Sequence, residues 1–179
     1  MISGASAGAG KDTILKMFLK RHPQWQNPPS AVTRPPRVGE VEGVDYLFTS
    51  MNEFKNMKKA GDFLETDFHA DHWYGTLEKP ISDALVAGKN IIVRKDVNGA
   101  TEIKRKMPEA VVIFIDVEGP HVLESRIRSR QTETEEQIQR RLRLAAKEQD
   151  FKKMFDYVVV NLHNRVQEAV ETIERIVGA

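Results

Sequence analysis

Cysteine is absent from the 179 residues. That excludes disulfides, a thiolate metal site and a cysteine nucleophile, and it fits the reducing cytoplasm. An excess of charge is also missing: 27 Lys and Arg against 26 Asp and Glu leave a net +1. Such a balance gives no reason to expect nucleic acid or a membrane surface as a partner. No apolar run is long enough for a bilayer. The first ten residues carry neither a basic n-region nor an apolar h-region, so they do not read as a signal peptide. What is present, 40% hydrophobic and 30% charged residues, is the composition of a soluble globular chain. The length suits one domain, with room for an inserted lobe.

Short continuous apolar runs at 111–115, 157–160 and 90–93 read as strands buried on both faces, as in a parallel sheet. Helical patterns separate them, at about 12–21, 79–88, 99–106, 119–129, 134–149 and 164–177. Asn164-x-x-Gln167 and Ser50-x-x-Glu53 have the form of capping boxes, and Gly88 and Gly178 fall at helix ends, where a left-handed residue is wanted. This alternation predicts an α/β core with right-handed crossovers. The stretch 30–78 breaks the rhythm. Short aromatic segments around Tyr46 and Phe48, Phe63 and Phe68, and Trp73 and Tyr74 predict a small mixed sheet with little helix, inserted into the core.

Two clusters carry chemistry. Gly4-Ala-Ser-Ala-Gly8-Ala9-Gly10-Lys11-Asp12-Thr13 follows a stub of strand and opens a helix. Glycines there let backbone N–H groups crowd a phosphate, a lysine reaches the β- and γ-phosphates, and the helix N-terminus adds positive dipole. The loop is irregular. Five residues separate Gly4 from Gly10 where the phosphate-loop pattern has four, and Asp12 stands where a Ser or Thr hydroxyl normally meets Mg²⁺. A Gly/Ala-rich turn that merely caps a helix is the competing reading. The second cluster runs from Ser30 through Thr33-Arg34-Pro35-Pro36-Arg37 to Asp45-Tyr46-x-Phe48. Its two prolines favour a polyproline II course, which puts Arg34 and Arg37 on one side, about 9 Å apart, suited to gripping one phosphate from two sides.

With the second cluster, the sequence closely resembles the guanylate kinase family of nucleoside monophosphate kinases over nearly the whole chain. The phosphate loop, Thr33-Arg-Pro-Pro-Arg37, Gly39-Glu-x-x-Gly-x-Asp-Tyr-x-Phe48, Phe63-Leu-Glu65, Trp73-Tyr-Gly-Thr76, Asp96-Val-Asn-Gly99, the arginine-rich segment 126–141 and Val158-Val-Val-Asn161 carry the resemblance. It implies an α/β P-loop kinase fold. A parallel-sheet core flanked by helices would span 1–29, 78–125 and 150–179, an inserted mixed-β GMP-binding lobe 30–77, and a helical lid 126–149. It implies the reaction ATP + GMP ⇌ ADP + GDP, with dGMP as a second acceptor, Mg²⁺ as cofactor, and a place in purine nucleotide metabolism in the cytoplasm. The partners would be ATP and GMP, with no nucleic acid and no membrane, and the protein a monomer or homodimer.

Roles carry over residue by residue. Gly8, Ala9, Gly10, Lys11, Asp12, Thr13 and Asn161 would bind ATP, with Asp12 as a metal-side ligand. Ser30, Glu65, Thr76 and Asp96 would read guanine, while Arg34, Arg37, Tyr46 and Tyr74 would bind the GMP phosphate. Lys11 and the lid arginines Arg126, Arg130 and Arg141 would stabilise the transferring phosphoryl group. Arg128, Arg140 and Arg143 are expected to be solvated, and His69, His72 and His163 lack metal-ligand spacing. The chain departs from the family at Arg94, which replaces an acidic residue and is followed by Lys95. It departs again at Ala31, Val32, Asn98, Gln131, Leu162 and His163. Arg94 is expected to face Asp12 and pair with it when no nucleotide is bound. Two other readings stay open: a weak or inactive module that binds GMP or a protein partner, and a kinase of another monophosphate or a phosphorylated sugar.

Overall fold

The computed structural model describes residues 2–4, 8–69, 71–129 and 134–179. In chain order the elements are β1 (Ile2–Gly4), α1 (Lys11–Arg21), β2 (Trp25–Gln26), β3 (Ser30–Val32), β4 (Tyr46–Phe48), α2 (Met51–Ala60), β5 (Phe63–His69), β6 (His72–Leu77) and α3 (Glu78–Val86). There follow β7 (Asn90–Ile91), β8 (Arg94–Lys95), α4 (Val97–Lys106), β9 (Ile113–Asp116), α5 (Pro120–Arg128), α6 (Glu135–Glu148), a 3₁₀ turn (Gln149–Met154), β10 (Tyr157–Val160) and α7 (Val166–Val177).

The main sheet has the order β10-β9-β1-β8, and every pair is parallel. Because side chains alternate along a strand, β9 serves both layers of the core. Ile113 and Ile115 join Ile14, Phe18, Val170 and Ile173 from α1 and α7. Phe114 points the other way, onto Val97 of α4 and Phe155. All three strand residues are fully buried. Each such side chain contributes about 1.5–3 kcal/mol by leaving water, so the central strand is fixed from both faces. The stub β1 pairs through Gly4 with Ile115 and leads into the loop that opens α1, which places that loop at the carboxyl edge of the sheet.

The second sheet has the order β4-β3-β6-β5; β3 runs parallel to β4 and antiparallel to β6, and β5 antiparallel to β6. This is the small mixed sheet the aromatic segments predicted. The expectation of little helix fails, because α2 occupies ten residues of it. Ser50 and Glu53 form the full capping box that starts α2, and Phe54 stacks on Phe63 at 4.6 Å between ring centroids. One buried aromatic per helix is enough to pin it, and gives no long apolar period to read.

Three further expectations are corrected. The run 90–93 is not one strand: Asn90–Ile91 pairs with β2, and the polar pair Arg94–Lys95 is what lies beside β1. Between them, Ile92 and Val93 are buried in two different clusters, so the apolar signal came from packing at a bend. β10 is an edge strand rather than one buried on both faces; Tyr157, Val158 and Val160 are nearly half exposed and only Val159 is buried. The box at Asn164 does not form, because Asn164 adopts φ 56° and α7 starts after Arg165 without a side-chain cap. Gly88 and Gly178 do take the left-handed conformation. Among the described residues no helix is long and apolar enough to cross a membrane.

Candidate active site

Gly10 ends the loop at φ 87° and is the N-cap of α1, where it offers no side chain to cap the first-turn N–H groups. Those donors, with the helix dipole, make a site for an anion. A side chain at Gly10 would collide with the Asn161 amide, which donates from Nδ2 to the Ala9 carbonyl at 2.8 Å. Asn161, directly after β10, therefore clamps the loop, while its Oδ1 is buried and has no hydrogen-bond partner among the described residues. Lys11 is the first residue of α1. Burial lowers its pKa from the usual 10.5, the carboxylates of Glu148 and Asp96 act against that, and Arg94 adds to it. Asp12 and Thr13 lie exposed in the first turn. Residues 5–7 of the loop are outside the described residues.

Across the cleft, the second sheet presents Arg34, only 6% exposed. Its guanidinium grips Glu40 with two bonds of 2.6 Å from Nη1 and Nη2, donates from Nη1 to the Pro35 carbonyl, and lies 5.0 Å from the Tyr46 ring centroid and 5.8 Å from that of Phe48. The bidentate bond raises the Arg34 pKa and, with the Arg37 backbone N–H, holds the Glu40 carboxyl at about 2. Arg37 itself projects into solvent. The Tyr46 and Tyr74 rings meet edge to face at 6.2 Å, and burial raises the Tyr46 pKa. Here the structure brings together three of the four residues expected to hold a phosphate. It leaves the fourth exposed beside them, and fills the Arg34 fork with a carboxylate.

The third group closes the cleft floor. Glu65, 6% exposed, accepts at Oε1 from the Thr76 hydroxyl and lies 3.2 Å from Lys95 Nζ. Lys95 donates to Ser30 Oγ at 2.8 Å. Asp96 caps α4 by accepting from the Gly99 N–H at 2.8 Å, which is why that helix begins at Val97 rather than at 99. The absence of a side chain on Gly99 leaves room for Glu65 Oε2, which a Cβ there would meet at 3.2 Å. A cavity of about 460 Å³ opens against Glu65 and Gly99, walled by β5 and α4. Strands β3, β5 and β6 and the start of α4 thus assemble Ser30, Glu65, Thr76 and Asp96. Lys95 joins them. The sequence marked it only as a departure, and the available signal was a cation immediately before the Asp96 cap.

Between the two sides, Arg94 pairs with Asp12 and donates from Nη2 to the Tyr46 hydroxyl at 3.4 Å. This is the pairing expected of the two departures. Asp12 keeps 64% of its side chain exposed, so its second oxygen is open to solvent. Among the described residues no group of three His, Asp or Glu could hold a metal by itself. One exposed carboxylate suits Mg²⁺ only as Mg²⁺ usually travels with nucleotides, with phosphates and waters supplying the remaining oxygens. Of the arginines expected in a lid, Arg126 donates to the Asn161 carbonyl at 2.9 Å, which ties α5 to the loop clamp. Arg141 is half-buried on α6, seven residues before the buried Glu148 and so on the same face. Arg130 is outside the described residues. Arg128 is not merely solvated: it bonds Glu124 and clasps Glu135 at 2.5 and 2.8 Å, joining α5 to α6.

A family model for guanylate kinase matches residues 1–179. A guanylate kinase of Gloeobacter violaceus is 41% identical over 176 residues, spanning 98% of this chain and 84% of that protein. One of Caldanaerobacter subterraneus is 40% identical over 179 residues, spanning 100% and 85%. The crystal structure of guanylate kinase from Anaplasma phagocytophilum aligns with a TM-score of 0.76 at 27% identity, over 98% of this chain and 81% of that one. A shikimate kinase from Bacteroides thetaiotaomicron, at 13% identity and a TM-score of 0.50, shares the fold alone.

Proposed function

This chain belongs to the guanylate kinase family, and we propose that it transfers the γ-phosphoryl group of ATP to GMP, giving ADP and GDP. The observation that carries the reading is the buried Glu65 carboxylate, held by Thr76 beside Ser30 and Asp96. It lies across the cleft from a lysine at a glycine-capped helix N-terminus. A buried carboxylate suits guanine, which offers N1–H and a 2-amino group. Adenine offers neither and would leave the carboxylate unpaired.

We assign the roles as follows. The first-turn N–H groups of α1 and Lys11 hold the ATP phosphates, and the orphan Asn161 Oδ1 takes the adenine amine. Arg34, Arg37, Tyr46 and Tyr74 hold the GMP phosphate. Direct in-line transfer needs no covalent enzyme intermediate, so catalysis is positioning plus charge neutralisation. Lys11, Arg126 and Arg141 would supply positive charge to the moving group, with Arg130, which lies outside the described residues, expected to join them. Asp12 would hold Mg²⁺, which when bound with the nucleotide would supply positive charge to the phosphates. The core (1–29, 78–125, 150–179), the GMP lobe (30–77) and the lid (126–149) close on both nucleotides and exclude water. dGMP is proposed as a second acceptor. Substrates of this kind are those of the cytoplasm. In a test with γ-labelled ATP and GMP, the label should appear in GDP. Label appearing only as inorganic phosphate would refute the assignment.

Two substitutions test the parts. Glu65→Gln should lower the kcat/KM ratio of GMP over AMP by at least about tenfold, because the amide turns an NH₂ toward the guanine donors; an unchanged ratio would place base reading elsewhere. Asp12→Ser should raise the Mg²⁺ concentration needed for turnover, and adding Arg94→Glu should restore it. Additive effects of the two changes would contradict an exchange of roles between these positions.

A further inference from the structure

Lys95 is a largely buried charge beside Glu65 to which the reaction above gives no role. Its side chain is 11% exposed, on β8 directly before the Asp96 cap. The ammonium donates to Ser30 Oγ at 2.8 Å and lies 3.2 Å from Glu65 Oε1. The same oxygen also accepts from Thr76. A lysine has three protons, so two contacts leave one to give.

A carboxylate that pairs with guanine takes N1–H on one oxygen and the 2-amino group on the other. The 6-oxo group then lies beside the oxygen that took N1–H, acceptor against acceptor. Glu65 Oε1 is the oxygen surrounded by donors, and Oε2 is turned toward Gly99. With N1–H on Oε1, a cation at the position of Lys95 Nζ bridges Oε1 and the 6-oxo oxygen and removes their repulsion. We propose that Lys95 is a specificity residue that reads the 6-oxo group of the acceptor base. This rests on the assignment of GMP as acceptor. Lys95 divides the labour with Glu65: the carboxylate selects N1–H and the 2-amino group, and the ammonium selects an acceptor at position 6. Adenine is then rejected twice, since its N1 lone pair faces Glu65 and its 6-amino group faces the ammonium, donor against donor.

The test separates this from GMP recognition as such. Wild type, Lys95→Met and Lys95→Gln are compared on GMP, on IMP, which keeps the 6-oxo group and lacks the 2-amino group, and on 2-aminopurine riboside 5′-monophosphate, which keeps the 2-amino group and lacks the 6-oxo. Calorimetric binding and kcat/KM are both read, so a variant without turnover still reports. In wild type GMP should be favoured over the 2-aminopurine nucleotide. In Lys95→Met that preference should shrink by roughly ten- to a hundredfold, the size of one charge-assisted hydrogen bond, while the GMP to IMP preference stays within about twofold. Lys95→Gln, which keeps a neutral donor to Ser30, should fall between and covers the case in which the methionine variant does not fold. Equal losses on all three nucleotides would make Lys95 a structural residue. Tighter GMP binding in Lys95→Met would make it an obstruction in the base site. Either outcome overturns the proposal. A wild type that binds GMP without phosphorylating it would sink the kinase assignment and leave the binding comparison to decide on Lys95; one that does not bind GMP would sink both.

Discussion

Lys11→Ala should cut phosphoryl transfer by about 10²- to 10³-fold, the usual loss when a preorganised charge is removed from a reacting group. GMP affinity should be unchanged. Lys11 is the lysine at the helix N-terminus proposed to receive the ATP phosphates, whereas the residues assigned to GMP lie on the second sheet and on the segment around β8. Its burial matters in two ways. A partly desolvated ammonium attracts phosphate more strongly than one in water, and burial lowers its pKa while the nearby Glu148 and Asp96 carboxylates act against that. The pH profile carries the same signature. Because burial lowers the Lys11 pKa from 10.5, the ammonium is lost as pH rises through a value below that of an exposed lysine. The kcat/KM for ATP should fall on the alkaline side accordingly, and in Lys11→Arg that fall should vanish, since arginine keeps its charge. Single-turnover rates together with GMP calorimetry check the first claim. Near-wild-type turnover in Lys11→Ala would mean that the loop is not the catalytic cradle.

The next largest effect is expected at Arg34. Arg34→Ala should weaken GMP by roughly ten- to a hundredfold and leave ATP affinity nearly unchanged. Arg37→Ala should act in the same direction and less. The difference comes from preorganisation. Arg34 is fixed by Glu40, the Pro35 carbonyl and the Tyr46 and Phe48 rings before any ligand arrives, whereas Arg37 stands in solvent and must be ordered on binding. Salt should weaken GMP binding through Arg37 in particular, because an exposed pair is screened. The Glu40 carboxylate, held at about 2, remains ionised throughout the neutral range, so the grip on Arg34 does not vary with pH there. Calorimetry on the two variants at low and high salt decides. Unchanged GMP affinity in both would remove the phosphate from this lobe.

The parallel core was legible because runs such as 113–115 are apolar without interruption, the mark of a strand covered on both faces. The same rule misled at β10: an apolar run reports the character of its own side chains, not the number of neighbouring strands. Helix α2 was missed for the opposite reason. Its one buried residue is Phe54, with Met57 packed beside it only in part, so its cap at Ser50 was visible and its period was not. At the site, the glycines and Lys11 form a local pattern that could be read, whereas the expected pairing of Arg34 and Arg37 on one side is not what the structure shows: Arg34 is buried against Glu40 and Arg37 is exposed. The remaining contacts join distant segments. Arg94 finds Asp12 across 82 positions and Lys95 finds Ser30 across 65, and only the placement of β8 between β1 and the second sheet's edge of the cleft makes them neighbours. Glu40 reaches Arg34 from six positions away, through the turn in which the Glu40 N–H returns to the Arg37 carbonyl. That fold-back is a backbone event no charge pattern announces.

The central claim is guanine-selective phosphoryl transfer, and a panel of acceptors tests it most directly. ADP release from ATP with Mg²⁺ is measured with GMP, dGMP, AMP, CMP and UMP, and without acceptor. The account predicts rapid release with GMP and dGMP, kcat/KM lower by orders of magnitude with the other three, and almost none without acceptor. Comparable rates with AMP or a pyrimidine nucleotide, or release that ignores the acceptor, would contradict it.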